Sequence, residues 1–341
     1  MKAVICREPF DLALVEREEP HLAPGTVVVR IRRVGLCGTD YHIYEGRHPF
    51  LTYPRVMGHE LGGEIEALPE GSELEGSGLA VGQFVAINPY LACGGCVACR
   101  KGKPNACVAI SVLGVHADGG MCERLVVPQS AIVDATGLSL SQAAMVEFLA
   151  IGAHAVARGA PVAGERVLVV GAGPIGVATA LFARLNGAAV TLVDTRLPRL
   201  RYARDALGIE AIALADERLP ETLAAATSGD MFDIVFDATG VLAAMTESLR
   251  YVAHGGKLVL VGVAPGELVF PDPELHKREA TVITSRNALA DDFTRVIAAI
   301  RAADIPVDAL HTHSLSANDL PDRLPALIEN ADHVLKAIVS F

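Results

Sequence analysis

The sequence predicts an α/β fold in two parts: an irregular β-rich domain and a doubly wound parallel sheet. A change of texture near Pro161 and a glycine turn set between an apolar strand and an apolar helix carry this reading. Residues 1–147 mix short β-like runs (VVVRIRRVG, GQFVAINP, CERLVVP) with many glycines, prolines and turns. Beyond Pro161 strands alternate with helices. The strand candidates are Arg166–Val170, Val190–Asp194, Ala211–Leu214, Asp233–Asp237, Lys257–Gly262 and Thr281–Ser285. Between them lie Ile175–Asn186, Pro198–Leu207, Glu217–Ala226 and Val241–Ala253, apolar enough to pack on a sheet. Strands separated by helices in this way imply parallel pairing. The tail adds a helix at Asp291–Ala303 and a last strand in HVLKAIVSF.

Composition narrows the function classes. A chain of 341 residues, 51% hydrophobic and 20% charged, is long enough for two cores and is globular rather than disordered. Its formal net charge of −11 repels nucleic-acid phosphates, so no polynucleotide partner is expected. The uncharged stretch Val167–Ala183 contains three glycines and Pro174, which suits strand, turn and helix better than a membrane span. The opening MKAVICREPF lacks the apolar run and cleavage site of a signal peptide, so a cytoplasmic address and no membrane partner are expected. Of seven cysteines, four fall within 15 residues, which points to metal more than to disulfides.

Directly after the strand Arg166–Val170 comes the run Gly171-Ala172-Gly173-Pro174-Ile175-Gly176. Gly171 permits a tight turn, Gly173 lets the backbone approach a pyrophosphate, and Gly176 lets helix and strand pack closely. The helix N-terminus, with Pro174 and Ile175 in its first turn, offers free N–H groups to phosphates. Asp194 ends the next strand, eighteen residues after Gly176. A carboxylate there accepts from ribose hydroxyls and repels a 2′-phosphate, favouring NAD over NADP. Arg196 and Arg199 stand near enough to leave some NADP use open.

The run from Cys93 to Cys107, CGGCVACRKGKPNAC, places sulfurs at Cys93, Cys96, Cys99 and Cys107. That is the sulfur count of a closed tetrahedral zinc site, structural because no position is left for substrate. Paired disulfides, a redox C-x-x-C and a nucleic-acid zinc ribbon with Arg100, Lys101 and Lys103 are the alternatives; the flanking thioredoxin-like pattern for the second is missing, and the acidic chain disfavours the third. A dispersed set completes the picture: Cys37, Thr39 and His42 in CGTDYH, His59 and Glu60 in GHE, and Glu147 in MVEF. An open catalytic zinc needs three protein ligands. Cys37 and His59 can supply sulfur and nitrogen, and Glu60 or Glu147 the oxygen.

Together these motifs, with DGG-x-x-E from Asp118 to Glu123, resemble the zinc-containing medium-chain dehydrogenase/reductase family over essentially the whole chain. The resemblance implies a GroES-like catalytic domain at 1–147 and 287–341 with a Rossmann NAD-binding domain at 148–286 inserted. It implies two zincs, one catalytic at Cys37 and His59 and one structural at Cys93, Cys96, Cys99 and Cys107. Thr39 and His42 would form a proton relay, and Asp40 is a candidate partner of a zinc ligand. The pattern is nearest the polyol and sugar-acid branch, where Glu60 or Glu147 replaces the cysteine of primary alcohol dehydrogenases. The run Ser285-Arg286-Asn287 also resembles that branch, which makes Ser285 and Asn287 cofactor contacts and Arg286 a substrate contact or a structural arginine.

Three departures from the family pattern concern loop shape: Phe148 replaces a proline, a longer loop runs through Gly71–Gly78, and Gln83 replaces an aspartate. The implied reaction is oxidation of a secondary alcohol with hydride transfer to NAD, in a homodimer or homotetramer. Threonine-type or simple alcohol oxidation, and a catalytically silent NAD-binding redox sensor, are the alternatives.

Overall fold

The computed structural model describes residues 1–48, 51–69 and 78–341. The loop expected through Gly71–Gly78 lies outside these residues, apart from Gly78. The chain divides into two compact units, Met1–Glu147 with Leu289–Phe341, and Phe148–Ala288.

In the first unit the strand Thr26–Leu36 is the centre of a mostly antiparallel sheet. Its valines and isoleucine, Val27, Val29, Ile31 and Val34, are buried, each contributing roughly 1.5–3 kcal/mol of apolar burial. On one side it pairs with Glu60–Ala67, which leads on to Phe84–Ile87 and Ile132–Asp134. On the other it pairs with Lys336–Ser340, which is followed by His311–Ser316. The C-terminal segment therefore returns to complete the sheet begun by the N-terminal one. This arrangement puts Glu60 and Lys336 on opposite flanks of the same central strand.

The second unit is a six-stranded parallel sheet among the described residues. Its order is Ala211–Leu214, Ala189–Asp194, Arg166–Val170, Phe232–Asp237, Val252–Leu260, Thr281–Thr284. The first strand in sequence, Arg166–Val170, sits mid-sheet with the chain winding outward on both sides. The turn after Val170 is thus at the switch point where α/β sheets bind ligands. Helices Pro174–Leu185, Leu197–Leu207 and Leu219–Ala226 lie within two residues of their expected bounds. The helix expected at Val241–Ala253 is shorter. It runs over Leu242–Glu247, continues as a 3₁₀ turn at Ser248–Tyr251, and gives way to strand at Val252. Val252 is buried and pairs with Phe232 across a register break, so cross-strand pairing overrides the helical periodicity.

Among the described residues no helix is long and apolar enough to cross a membrane.

Candidate active site and cysteine loop

The central strand of the first unit ends at Leu36, and Cys37 becomes the N-cap of the helix Gly38–Tyr44. Asp40, buried in the first turn of that helix, accepts from Cys37 N at 2.9 Å and from Gly58 N at 3.3 Å. One carboxylate therefore fixes the backbone beside both Cys37 and His59. Burial raises the Asp40 pKa, against the pull of the His59 charge and the two amides. The segment before His59 is held from the other side by the Asp118-Gly119-Gly120 motif. Gly119 N donates to Val56 O at 2.7 Å, Gly120 N to Gly58 O at 2.9 Å and Met121 N to Met57 O at 3.0 Å.

Ligand atoms of Cys37, His59 and Glu60 lie within 4.8 Å of one another, close to the span of two metal–ligand bonds of about 2.0–2.3 Å. Burial opposes charge on His59, yet the hydrogen bond with the Cys37 thiol and the Asp40 carboxylate outweigh it and raise its pKa well above the ordinary value. Glu147, in the first turn of the helix Val146–Gly159, is buried close enough for its charge to act on His59, but it is not one of the three residues whose ligand atoms lie within 4.8 Å of one another. The Tyr90 hydroxyl donates to its Oε1. Burial first, and the neighbouring Glu60 charge, push the Glu147 carboxyl up to about 7. Burial and the Glu147 charge likewise raise the Tyr90 phenol well above its usual range. Two buried polar atoms here have no hydrogen-bond partner, His59 Nδ1 and Glu147 Oε2. Orphaned polar atoms of this kind require an explanation. A cation beside a thiol, an imidazole and two carboxylates fits the donor set.

Glu60 has a different environment. Lys336 Nζ donates to both of its oxygens, at 2.6 and 2.7 Å, and to Leu36 O at 3.1 Å. The ammonium and carboxylate meet over Gly35 of the central strand. A Cβ at that position would stand 2.0 Å from Glu60 Oε2, so only glycine leaves room for the pair. Thr39 and His42 are three residues apart on one helix face. Thr39 Oγ1 lies 3.8 Å from Cys37 Sγ, while His42 is exposed. Partial desolvation of its ring and the Arg47 charge lower the His42 pKa.

The four-cysteine loop is closed at its base by a short ribbon, Tyr90–Leu91 with Ser111–Val112. All four thiols are free. Cys96 Sγ lies 3.5 Å from Cys99 Sγ and 3.9 Å from Cys107 Sγ. A tetrahedron with arms of ~2.3 Å has edges of about 3.8 Å, so the sulfurs are spaced as zinc ligands and not as disulfides. Backbone N–H groups of Cys99 and Val108 hold the Cys96 thiol down at about 6, prepared for ionisation. Cys96→Ser is expected to remove one zinc per chain and lower the melting temperature by at least about 5 °C. Metal analysis with thermal melting checks this, and unchanged values for both would refute the structural site.

In the second unit the glycine turn has the geometry its motif requires. Gly171 has φ +103, and a Cβ on Gly176 would stand 1.7 Å from Gly171 O. Pro174 and Ile175 form the first turn of the helix capped by Gly173. Asp194 Oδ2 accepts from Ala172 N at 2.7 Å and Oδ1 from Arg196 N at 2.8 Å, so the carboxylate is anchored to the turn itself. Arg199 Nη1 comes within 3.7 Å of the position a Gly173 Cβ would take. At the end of the edge strand Ser285 is buried with no partner for Oγ, Arg286 is exposed, and Asn287 is left-handed with φ +51.

Residues 23–137 match the model of the alcohol dehydrogenase GroES-like domain, and residues 174–302 match that of the zinc-binding dehydrogenases. L-galactonate-5-dehydrogenase of Escherichia coli K12 is 40% identical over 341 residues, covering 100% of this chain and 99% of that protein. The chain belongs to the zinc-containing medium-chain dehydrogenase/reductase family. L-threonine 3-dehydrogenase of Pyrococcus furiosus is 29% identical, covering 94% of this chain and 92% of that one. An alcohol dehydrogenase from Escherichia coli CFT073, solved with NADH, superposes with a TM-score of 0.92 at 32% identity, covering 100% and 99% of the two chains. The chain is thus a dehydrogenase of the zinc-binding alcohol dehydrogenase class.

Two residues of this dehydrogenase's site escape sequence reasoning. Lys336 sits inside the last apolar strand, and a lysine in a run that must be buried signals a buried partner, though not which one. Tyr90 carries no motif. Of the departures from the family pattern, Phe148 is fully buried, and Glu147 keeps its place in the first turn of its helix. Gln83 bridges Ala80 N and Asp134.

Proposed function

We propose that this dehydrogenase oxidises a secondary hydroxyl of a sugar acid or polyol to the ketone, with NAD as the hydride acceptor. The observation that carries the substrate class is the 40% identity, end to end, with L-galactonate-5-dehydrogenase.

Cys37, His59 and Glu147 would hold the catalytic zinc in this reading, and the cysteines 93, 96, 99 and 107 would hold the structural one. Glu60 lies within ligand distance of Cys37 and His59, but both its oxygens are engaged by Lys336. Glu147 Oε2 is the buried oxygen left open, which favours Glu147 as the third donor. Zinc when bound acts as a Lewis acid that lowers the pKa of the substrate hydroxyl. NAD when bound accepts the hydride.

The chain's own groups do the rest. In this reading Thr39 Oγ1 accepts the substrate hydroxyl proton as its own hydroxyl proton moves on toward His42 and solvent, and the lowered pKa of His42 favours the neutral ring as acceptor. Asp40 fixes the backbone on both sides of the reacting position. With NAD bound, the Gly171–Gly176 turn and Arg199 would hold the pyrophosphate, Asp194 would accept from the adenosine ribose, and Ser285 and Asn287 would lie on the cofactor side.

Asp194→Ala is expected to lower the ratio of kcat/KM for NAD over NADP by on the order of tenfold or more, as the 2′-phosphate loses a repelling charge. An unaltered ratio would place the aspartate away from the ribose. The substrate is tested by NADH formation with aldonates, polyols, threonine and simple alcohols. Aldonates, L-galactonate among them, are expected to lead primary alcohols by at least about 100-fold in kcat/KM. Threonine leading the panel would instead favour the second reading, supported by the 29% identity to a threonine dehydrogenase. No turnover with any of them would favour a silent NAD-binding scaffold.

A further inference from the structure

Tyr90 is not a zinc donor in the reading above, and no motif marks it, yet it makes the one hydrogen bond the structure gives the Glu147 carboxylate among the described residues. Its hydroxyl donates to Oε1, and Oε2 is left buried with no partner. A carboxylate pinned through one oxygen presents the other in a fixed direction. We propose that Tyr90 is a positioning residue, which orients Glu147 so that Oε2 alone is offered to the catalytic cation. This rests on the reading that Glu147 is a ligand of that cation.

Tyr90 is itself held on every side within its unit. It pairs with Val112 in the ribbon that closes the cysteine loop, and its N–H donates to Asn88 Oδ1 at 3.1 Å. Leu113 N donates to Pro89 O at 3.1 Å, tying down the neighbouring peptide. Its ring meets the buried ring of Phe293 edge-on, with centroids 6.4 Å apart and planes at 72°. The phenol is therefore delivered by a rigid base rather than by a loop tip. Glu147, in the first turn of a 14-residue helix, is equally fixed. A hydroxyl and a carboxylate fixed from two separate elements can set an angle that neither would hold alone.

Tyr90→Phe deletes the hydroxyl and keeps the ring against Phe293. In the full-length, zinc-loaded protein, transfer of metal to a chromogenic chelator reports the two sites as two phases, and cobalt substitution reports ligand geometry in the visible spectrum. Tyr90→Phe is expected to speed release from the Cys37–His59 site by about 10-fold or more and to shift the cobalt spectrum. Release from the cysteine loop and the melting temperature should stay as in the wild type. Wild-type release and a wild-type spectrum in Tyr90→Phe would overturn the proposal, as would a change confined to the cysteine-loop phase. Glu147→Gln separates this failure from failure of the underlying reading. If Glu147→Gln speeds catalytic-site release and Tyr90→Phe does not, Glu147 is a ligand that Tyr90 does not orient. If neither does, the ligand assignment itself fails, and the role of Tyr90 with it. The double variant should release metal no faster than Glu147→Gln alone, because Tyr90 acts only through that carboxylate; additive effects would contradict this.

Discussion

Cys37→Ser is expected to abolish turnover while the fold and dinucleotide binding persist. Cys37 is the one thiol in the cluster with His59 and Glu60. It caps a short helix, with the Asp40 carboxylate accepting from Cys37 N and the Cys37 side chain facing the Asp40 backbone N–H, a capping place that a serine hydroxyl also fills. A serine therefore keeps the local structure and removes only the soft anionic donor. Lewis-acid assistance to hydroxyl ionisation is worth several kcal/mol, so kcat/KM should fall by on the order of 10³-fold or more. Steady-state kinetics with the best substrate of the panel, together with NADH fluorescence titration, checks both halves. Retained turnover would remove Cys37 from the chemistry, and lost NADH binding would show that the substitution had damaged more than the metal site.

The second large effect is on stability. Lys336→Met strands the Glu60 carboxylate at the core of the first unit, where Lys336 is 1% and Glu60 0% exposed. Burial disfavours the ammonium, but the Glu60 charge and hydrogen bonds together with the Cys37 and Glu147 charges outweigh it, and the Lys336 pKa lies above its ordinary value. A group with a raised folded-state pKa stabilises the fold at every pH below its unfolded value, and that contribution is lost as pH rises through the folded one. At neutral pH the ion pair is thus fully formed. Removing one partner of such a pair costs about 3–5 kcal/mol, measurable as a lowered denaturant midpoint. Glu60→Gln combined with Lys336→Met should recover part of the loss, since it leaves neither charge of the pair buried without its partner. A loss below about 1 kcal/mol in Lys336→Met would show that the pair contributes little.

Much of the fold is readable where physical constraint is local. The glycine turn between Arg166–Val170 and Pro174–Leu185 is a short-range signal, because backbone crowding at Gly171 and Gly176 excludes other residues. The cysteine spacing is equally local, four thiols on one compact loop. The sequence pattern misplaces the strand that begins at Val252, because its partner, Phe232, lies in another element and helical periodicity runs through the intervening residues. The site's support is illegible for the same reason. Lys336 and Glu60 are 276 residues apart, and they meet only because strands from both ends of the chain flank Gly35. Tyr90 reaches Glu147 across 57 residues through a single hydroxyl. Donor residues of a metal site announce themselves by type and spacing, whereas the residues that orient them are ordinary in sequence and are revealed by contact alone.

Anomalous scattering at the zinc absorption edge, from crystals of the protein as purified, is the most direct measurement. Two peaks per chain are expected, one bonded by Cys37 Sγ and a ring nitrogen of His59, the other enclosed by the sulfurs of residues 93, 96, 99 and 107. One peak in the cysteine loop alone, with Cys37 and His59 bare, would contradict a metal-assisted oxidation at this site.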